Sequence, residues 1–136
     1  MLTIIDLSAE FTKLNMLRGR TPETMAAERE EKCALLHLAP YRDGTIFIAK
    51  FAGEGVWERH PTGDEIVQII DGTTTLHVAA DGRSEAFTLS AGAFVIIPQG
   101  EWHRLESADG VSLMTATPQP SEFTVDDPAL LGPWTC

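Results

Sequence analysis

Val56-Trp57-Glu58-Arg59-His60-Pro61-Thr62-Gly63-Asp64-Glu65-Ile66-Val67-Gln68-Ile69-Ile70-Asp71-Gly72 is the stretch on which the reading of this chain turns. In an extended strand, alternate side chains share a face, so Glu58 and His60 lie together, opposite Trp57 and Arg59. His60-Pro61-Thr62-Gly63 reads as a turn, because Pro fixes φ and Gly permits positive φ. Glu65 opens the next strand, Ile66–Ile70, and Asp71-Gly72 closes it with a hairpin signal. Such a hairpin brings Glu58, His60 and Glu65 toward one point, and imidazole with carboxylates on one face suits a divalent metal. Two alternatives stay open. Asp64 competes with Glu65, since a one-residue slip swaps which acid faces inward. Glu58 is either a ligand or a solvent-facing glutamate. If His60 faces the interior, so does Glu58, and a buried carboxylate needs a metal ion or an arginine to compensate it.

A second stretch, Gly92-Ala93-Phe94-Val95-Ile96-Ile97-Pro98-Gln99-Gly100-Glu101-Trp102-His103, spaces Gly, Pro, Gly and His at intervals of five, one and two residues. Taken with the first, it resembles the two motifs of the cupin superfamily. The family's first motif runs Gly, five residues, His, one residue, His, three or four residues, Glu, six residues, Gly. His60, Glu65 and Gly72 fall on it in register, and Glu58 stands where the first His belongs. Position 52, where the opening Gly is due, is Ala, with Gly53 beside it. The second motif matches through His103, and Ser107 replaces its final Asn. The resemblance covers roughly positions 45 to 117. It implies a double-sheet jelly roll, a double-stranded β-helix, with the metal ligands Glu58, His60, Glu65 and His103.

Outward from the motifs, short runs rich in β-branched and aromatic residues alternate with Gly, Asp and Pro at near-regular spacing, the pattern of an all-β sandwich or barrel. Strands are expected at Thr45–Phe51, Thr73–Ala79, Glu85–Leu89, Phe94–Ile97, Trp102–Leu105 and Val111–Ala116. Turns are expected at Arg42-Asp43-Gly44, Asp81-Gly82 and Asp109-Gly110. Ala34–Leu38 reads as a strand, with a helix left open. Toward the N-terminus, Leu2–Ile5 reads as an edge strand. Ser8 caps a short helix carrying Phe11, Leu14 and Leu17 at helical spacing. Thr21-Pro22-Glu23 starts a second, charged helix whose ionic residues form a solvated face. Residues 118–136 hold four of the eight prolines and read as an irregular arm packed through Phe123, Leu130, Leu131 and Trp134. The whole, 1–136, is expected to be one cupin domain.

Composition narrows the function. With 136 residues the chain is long enough for one core. A net charge of −10 and a pI near 4.7 argue against nucleic acid and anionic membrane, which need a basic patch. No apolar run approaches the roughly 18 residues that span a bilayer, and the first residues lack the basic and apolar regions of a signal peptide. Cys33 and Cys136 match no zinc spacing and no disulfide framework, which points to a reducing cytoplasm. His37 and His77 match no motif and read as structural or surface histidines.

Two histidines and two carboxylates without a thiolate suit Fe, Mn, Zn, Ni or Co. Four ligands leave two positions of a six-coordinate ion for water, oxygen or a chelating substrate. The leading expectation is a small metal-dependent enzyme of dioxygenase, isomerase or lyase type acting on a small polar molecule in the barrel. The alternative is a non-catalytic small-molecule binding or sensing module. A purely structural dimer would leave the His and Glu pattern without a role. A homodimer is expected in either functional case, because Ile66, Gln68 and Ile70 give the strand a second, largely apolar face.

Overall fold

The computed structural model describes residues 1–130, without the side chains of Ala80 and Leu130. In chain order come a short helix α1 (Leu7–Thr12), strand β1 (Leu17–Arg20), a second short helix α2 (Ala26–Glu31), and strands β2 (Leu35–Tyr41), β3 (Gly44–Glu54) and β4 (Trp57–Arg59). Then follow β5 (Glu65–Ala80), β6 (Arg83–Ser90), β7 (Phe94–Ile97), β8 (Trp102–Pro118) and β9 (Glu122–Thr124), with a 3-10 turn at Pro128–Leu130. The architecture is an all-β jelly-roll barrel, and its hub is the long strand β8, which pairs antiparallel with β3, β4 and β5. β5 in turn holds β7 along its first half and β6 along its second.

Alternation fills the barrel. Val67 and Ile69 on β5, Val111 and Leu113 on β8, Ala49 and Phe51 on β3 and Ile97 on β7 point inward and form one buried cluster. The intervening residues point outward. Ile48 and Ile70 do so, and Phe11 of α1 and Leu14, just beyond that helix rather than within it, cover them. Ile66, Phe94 and Ile96 remain open to solvent, with 37%, 58% and 53% of their surface exposed. These three lie together, since Ile66 pairs with Ile96 and Gln68 with Phe94. Of the apolar face expected at Ile66 and Ile70, the first is uncovered and the second is packed inside the chain.

The expected Asp71-Gly72 hairpin and Asp109-Gly110 turn prove to be bends within continuous strands. Asp71-Gly72 lies inside β5 and Asp109-Gly110 inside β8, so Thr73–Ala79 continues the first motif's strand rather than pairing with it. The β5–β8 register slips between Gly72 and Thr75, the signature of a bulge that curves a sheet. Gly72 has φ 82°, and a Cβ there would sit 2.3 Å from the Gly110 carbonyl oxygen. Only glycine lets the two strands touch at this corner. Ser107, the residue in place of the family's Asn, braces the corner: its Oγ donates to the Thr73 carbonyl (2.7 Å) and accepts from the Gly110 N–H (3.0 Å). Asp81-Gly82 is a true hairpin turn, with positive φ at both residues.

The N-terminal expectations need correction. Leu2 and Ile4 are exposed and form no strand: neither packs into a core cluster, so ordering the segment gains no burial. Asp6, not Ser8, caps α1, its carboxylate accepting from the Ala9 N–H, and Leu17 belongs to β1 rather than to that helix. Thr21–Thr24 forms a turn, and α2 begins only after Met25. The Ala34–Leu38 alternative resolves to a strand, β2. In the arm, β9 adds to β4 and Phe123 is exposed rather than packed. Leu131, Trp134 and the side chain of Leu130 lie outside the described residues.

Candidate metal centre

Glu58 lies on β4 directly opposite His103 on β8. His60 follows at the end of β4, and Glu65 opens β5, where it pairs with Ile97. β4 and β5 are not hydrogen-bonded to each other. β8 gathers them, which is how residues on a non-hairpin come to one point. One side-chain donor atom from each of Glu58, His60, Glu65 and His103 lies within 4.8 Å of the others, a group that could hold a metal ion. Asp64 is excluded from it: the residue is exposed and accepts the Gln99 N–H at 2.8 Å. Glu65 is the inward acid, 3% exposed.

The surrounding bonds orient both imidazoles. His103 Nδ1 lies 2.9 Å from the Glu101 carbonyl oxygen, which only accepts, so Nδ1 carries a proton and Nε2 faces the site. His60 Nδ1 lies 2.9 Å from Ser121 Oγ, leaving its Nε2 inward as well. Glu65 Oε2 accepts from Thr117 Oγ1 at 2.5 Å. Glu65 Oε1 is 3.0 Å from His103 Nε2, and Glu58 Oε1 is 3.5 Å from the same nitrogen.

Charge follows from this packing. Burial by itself disfavours the charged form of His103, but Glu58 and Glu65 outweigh it and raise the pKa to about 10. For Glu65 burial pushes the other way, and the neighbouring imidazoles bring its pKa down to about 2. Without a metal, these carboxylates favour a proton on His103 Nε2, hydrogen-bonded to Glu65 with Glu58 3.5 Å away.

Two observations fit a metal at this point. His60 Nε2 is buried with no hydrogen-bond partner among the described residues, and its 3.2 Å approach to Glu65 Oε2 is not hydrogen-bond geometry. A nitrogen so placed has an unused lone pair aimed at the other three donors. Three of the separations, 3.0, 3.2 and 3.5 Å, also suit atoms that share an ion at about 2.0–2.2 Å. The donor set is hard to borderline and contains no thiolate.

A cavity of about 430 Å³ reaches Glu58 and Glu65 from the barrel interior. Phe51, Val67, Leu105 and Leu113 supply apolar wall, and Arg20 and Arg29 line it too. Neither arginine stood out in the sequence. Arg29 in particular sits on the helix read as a solvated charged face, yet its Nε is buried. The single Arg among four acids at Glu23–Glu31 was the one available signal. His37 bonds to Glu30, and His77 lies 2.5 Å from Glu106, both apart from the four-residue cluster.

The cupin domain family matches residues 46–116. The chain belongs to this family. Across its whole barrel this cupin is similar to a cupin-2 domain containing protein from Shewanella frigidimarina, with 22% identity and a TM-score of 0.64 over 85% of this chain and 95% of that one. Hydroquinone 1,2-dioxygenase PnpCD, in complex with Cd2+ and 4-hydroxybenzonitrile, matches at 14% identity and a TM-score of 0.53 over 62% and 63% of the two chains. Both likenesses are of fold. The uncharacterized protein YdbB of Bacillus subtilis (strain 168) is 30% identical over 83 residues, 61% of this chain and 71% of that protein. No helix among the described residues is long and apolar enough to cross a membrane.

Proposed function

We propose that this cupin binds one divalent metal through Glu58, His60, Glu65 and His103 and uses it enzymatically on a small molecule held in the barrel. The observation that carries this is the convergence of two inward Nε2 atoms and two carboxylates at the wall of an interior cavity. Bound there, a divalent ion would supply Lewis acidity and could activate water or oxygen, the chemistry of dioxygenase, isomerase and lyase cupins. The chain's own part is orientation. Ser121 and the Glu101 carbonyl hold the imidazoles, Thr117 fixes Glu65, and the apolar wall excludes bulk water. The dioxygenase fold neighbour that binds Cd2+ is compatible with this reading.

A binding or sensing role is the second reading. It is favoured by the remaining ionisable residues of the cavity: Glu30 and His37 are engaged with each other, and Arg20 and Arg29 are poor proton carriers. Metal analysis of untagged protein, followed by turnover and thermal-shift screens of small metabolites, separates the two. Metal with turnover supports the enzyme, and ligand-induced stabilisation without turnover supports the module. The proposal further takes 1–136 as one domain, pairs two copies through the open Ile66, Phe94 and Ile96 face, and places the protein in the cytoplasm, where the exposed free thiol of Cys33 would stay reduced.

A further inference from the structure

Arg20 ends β1 and Arg29 lies on α2, so their meeting is made by the fold and not by sequence proximity. Both guanidiniums approach the Phe51 ring, at 4.4 and 6.0 Å from its centroid. Both line the cavity that contains Glu58 and Glu65. Each has a buried Nε without a hydrogen-bond partner, and neither forms an ion pair among the described residues. Two like charges, each half-buried beside one ring and held in no ion pair, are unfavourable. The Arg20 pKa shows the cost: burial, then the charge of Arg29, lower it to about 9, against a partial opposing pull from Glu58. Glu58 also offsets the burial of Arg29. A metal drawing Glu58 to itself would leave Arg20 without that pull and Arg29 with Glu30 alone.

We infer that Arg20 and Arg29 bind the carboxylate of a small organic acid whose apolar body lies against Phe51, Val67 and Leu113. The guanidinium fork matches a carboxylate, and its planar face stacks on an aromatic ring as Arg20 does on Phe51. The apolar wall selects an acid with a hydrocarbon body over a bare inorganic anion. This inference deepens the proposed function and rests on it for the place of the ligand, beside the metal.

The test is calorimetric titration of benzoate and butyrate, each against its uncharged amide and against inorganic phosphate. It is run on untagged protein with Zn2+ and again in EDTA. One or both acids should bind, the amides and phosphate more weakly. Arg20→Gln and Arg29→Gln should each weaken the acid at least about tenfold, the loss expected for a hydrogen bond to a charged group. Arg29→Lys, which keeps the charge and loses the fork, should fall between. Zn2+ titration of the same variants shows whether they are folded and metal-competent. The inference is overturned if neither acid binds at millimolar concentration, if amide or phosphate binds as tightly, or if metal-competent arginine variants bind the acid like wild type. Arginine-dependent acid binding in a protein that takes no Zn2+ would uphold the inference and remove the metal reading. Zn2+ binding with no preference for acids would do the reverse.

Discussion

Glu65→Gln is the most informative single change, because Glu65 is 3% exposed and is approached by His103, His60 and Thr117. In metal-free protein it removes one half of a buried ion pair and leaves His103 with only the more distant Glu58. Breaking such a pair costs about 3–5 kcal/mol, and the amide's remaining hydrogen bonds place this variant near 3. For a domain of this length that is a fall in Tm of roughly 9–15 °C. The loss should depend on pH. His103, raised from 6.5 to about 10, contributes fully below pH 6.5 and loses its contribution as pH climbs toward 10. Glu65, lowered from 4.5 to about 2, contributes fully above pH 4.5 and loses it as pH falls toward 2. The difference between wild type and variant, measured by urea denaturation in EDTA, should therefore be greatest between pH 4.5 and 6.5 and shrink on both sides. A difference below about 1 kcal/mol, or one flat with pH, would refute the buried pair as the organising contact of the apo site.

Further outcomes follow from the same geometry. Metal at a hundredfold excess over Kd should add about 2.7 kcal/mol and raise Tm by roughly 8–14 °C in thermal melts. His60→Ala and His103→Ala should abolish that rise, and Glu58→Gln should reduce it. Gly72→Ala should cost at least about 2 kcal/mol, since its Cβ would meet the Gly110 carbonyl at positive φ; chemical denaturation measures it. Ser107→Ala should cost about 1–3 kcal/mol by the same assay, because two part-buried hydrogen bonds to the backbone, at about 0.5–1.5 kcal/mol each, are lost. Light scattering at micromolar concentration should show a dimer that Phe94→Ser with Ile96→Ser dissociates; a wild-type monomer would end that proposal.

Much of the barrel was legible because alternation is local. Glu65, Val67 and Ile69 against Ile66, Gln68 and Ile70 declare two faces from six consecutive letters, and the spacing of His60, Glu65 and His103 declares the family. What escaped depends on partners distant in sequence. Asp71-Gly72 spells a hairpin, and becomes a bend only because β8 continues past it and places Gly110 against Gly72. Leu2–Ile5 spells a strand, but it pairs with no strand and Leu2 and Ile4 are left exposed. Arg29 spells surface charge and Arg20 carries no signal, and their convergence on Phe51 exists only once β1 and α2 are folded onto the barrel. The local pattern therefore reveals which residues face inward along one strand, while closure of the barrel decides what they face.

The central claim is that Glu58, His60, Glu65 and His103 hold a single divalent ion. Its most direct test is an anomalous-difference map from crystals of untagged protein grown with Zn2+ or Mn2+. The account predicts one peak per chain, about 2.0–2.2 Å from Nε2 of both His60 and His103 and within bonding distance of Glu65. A map with no peak there, and His103 still bridged to Glu65 at metal saturation, would contradict it.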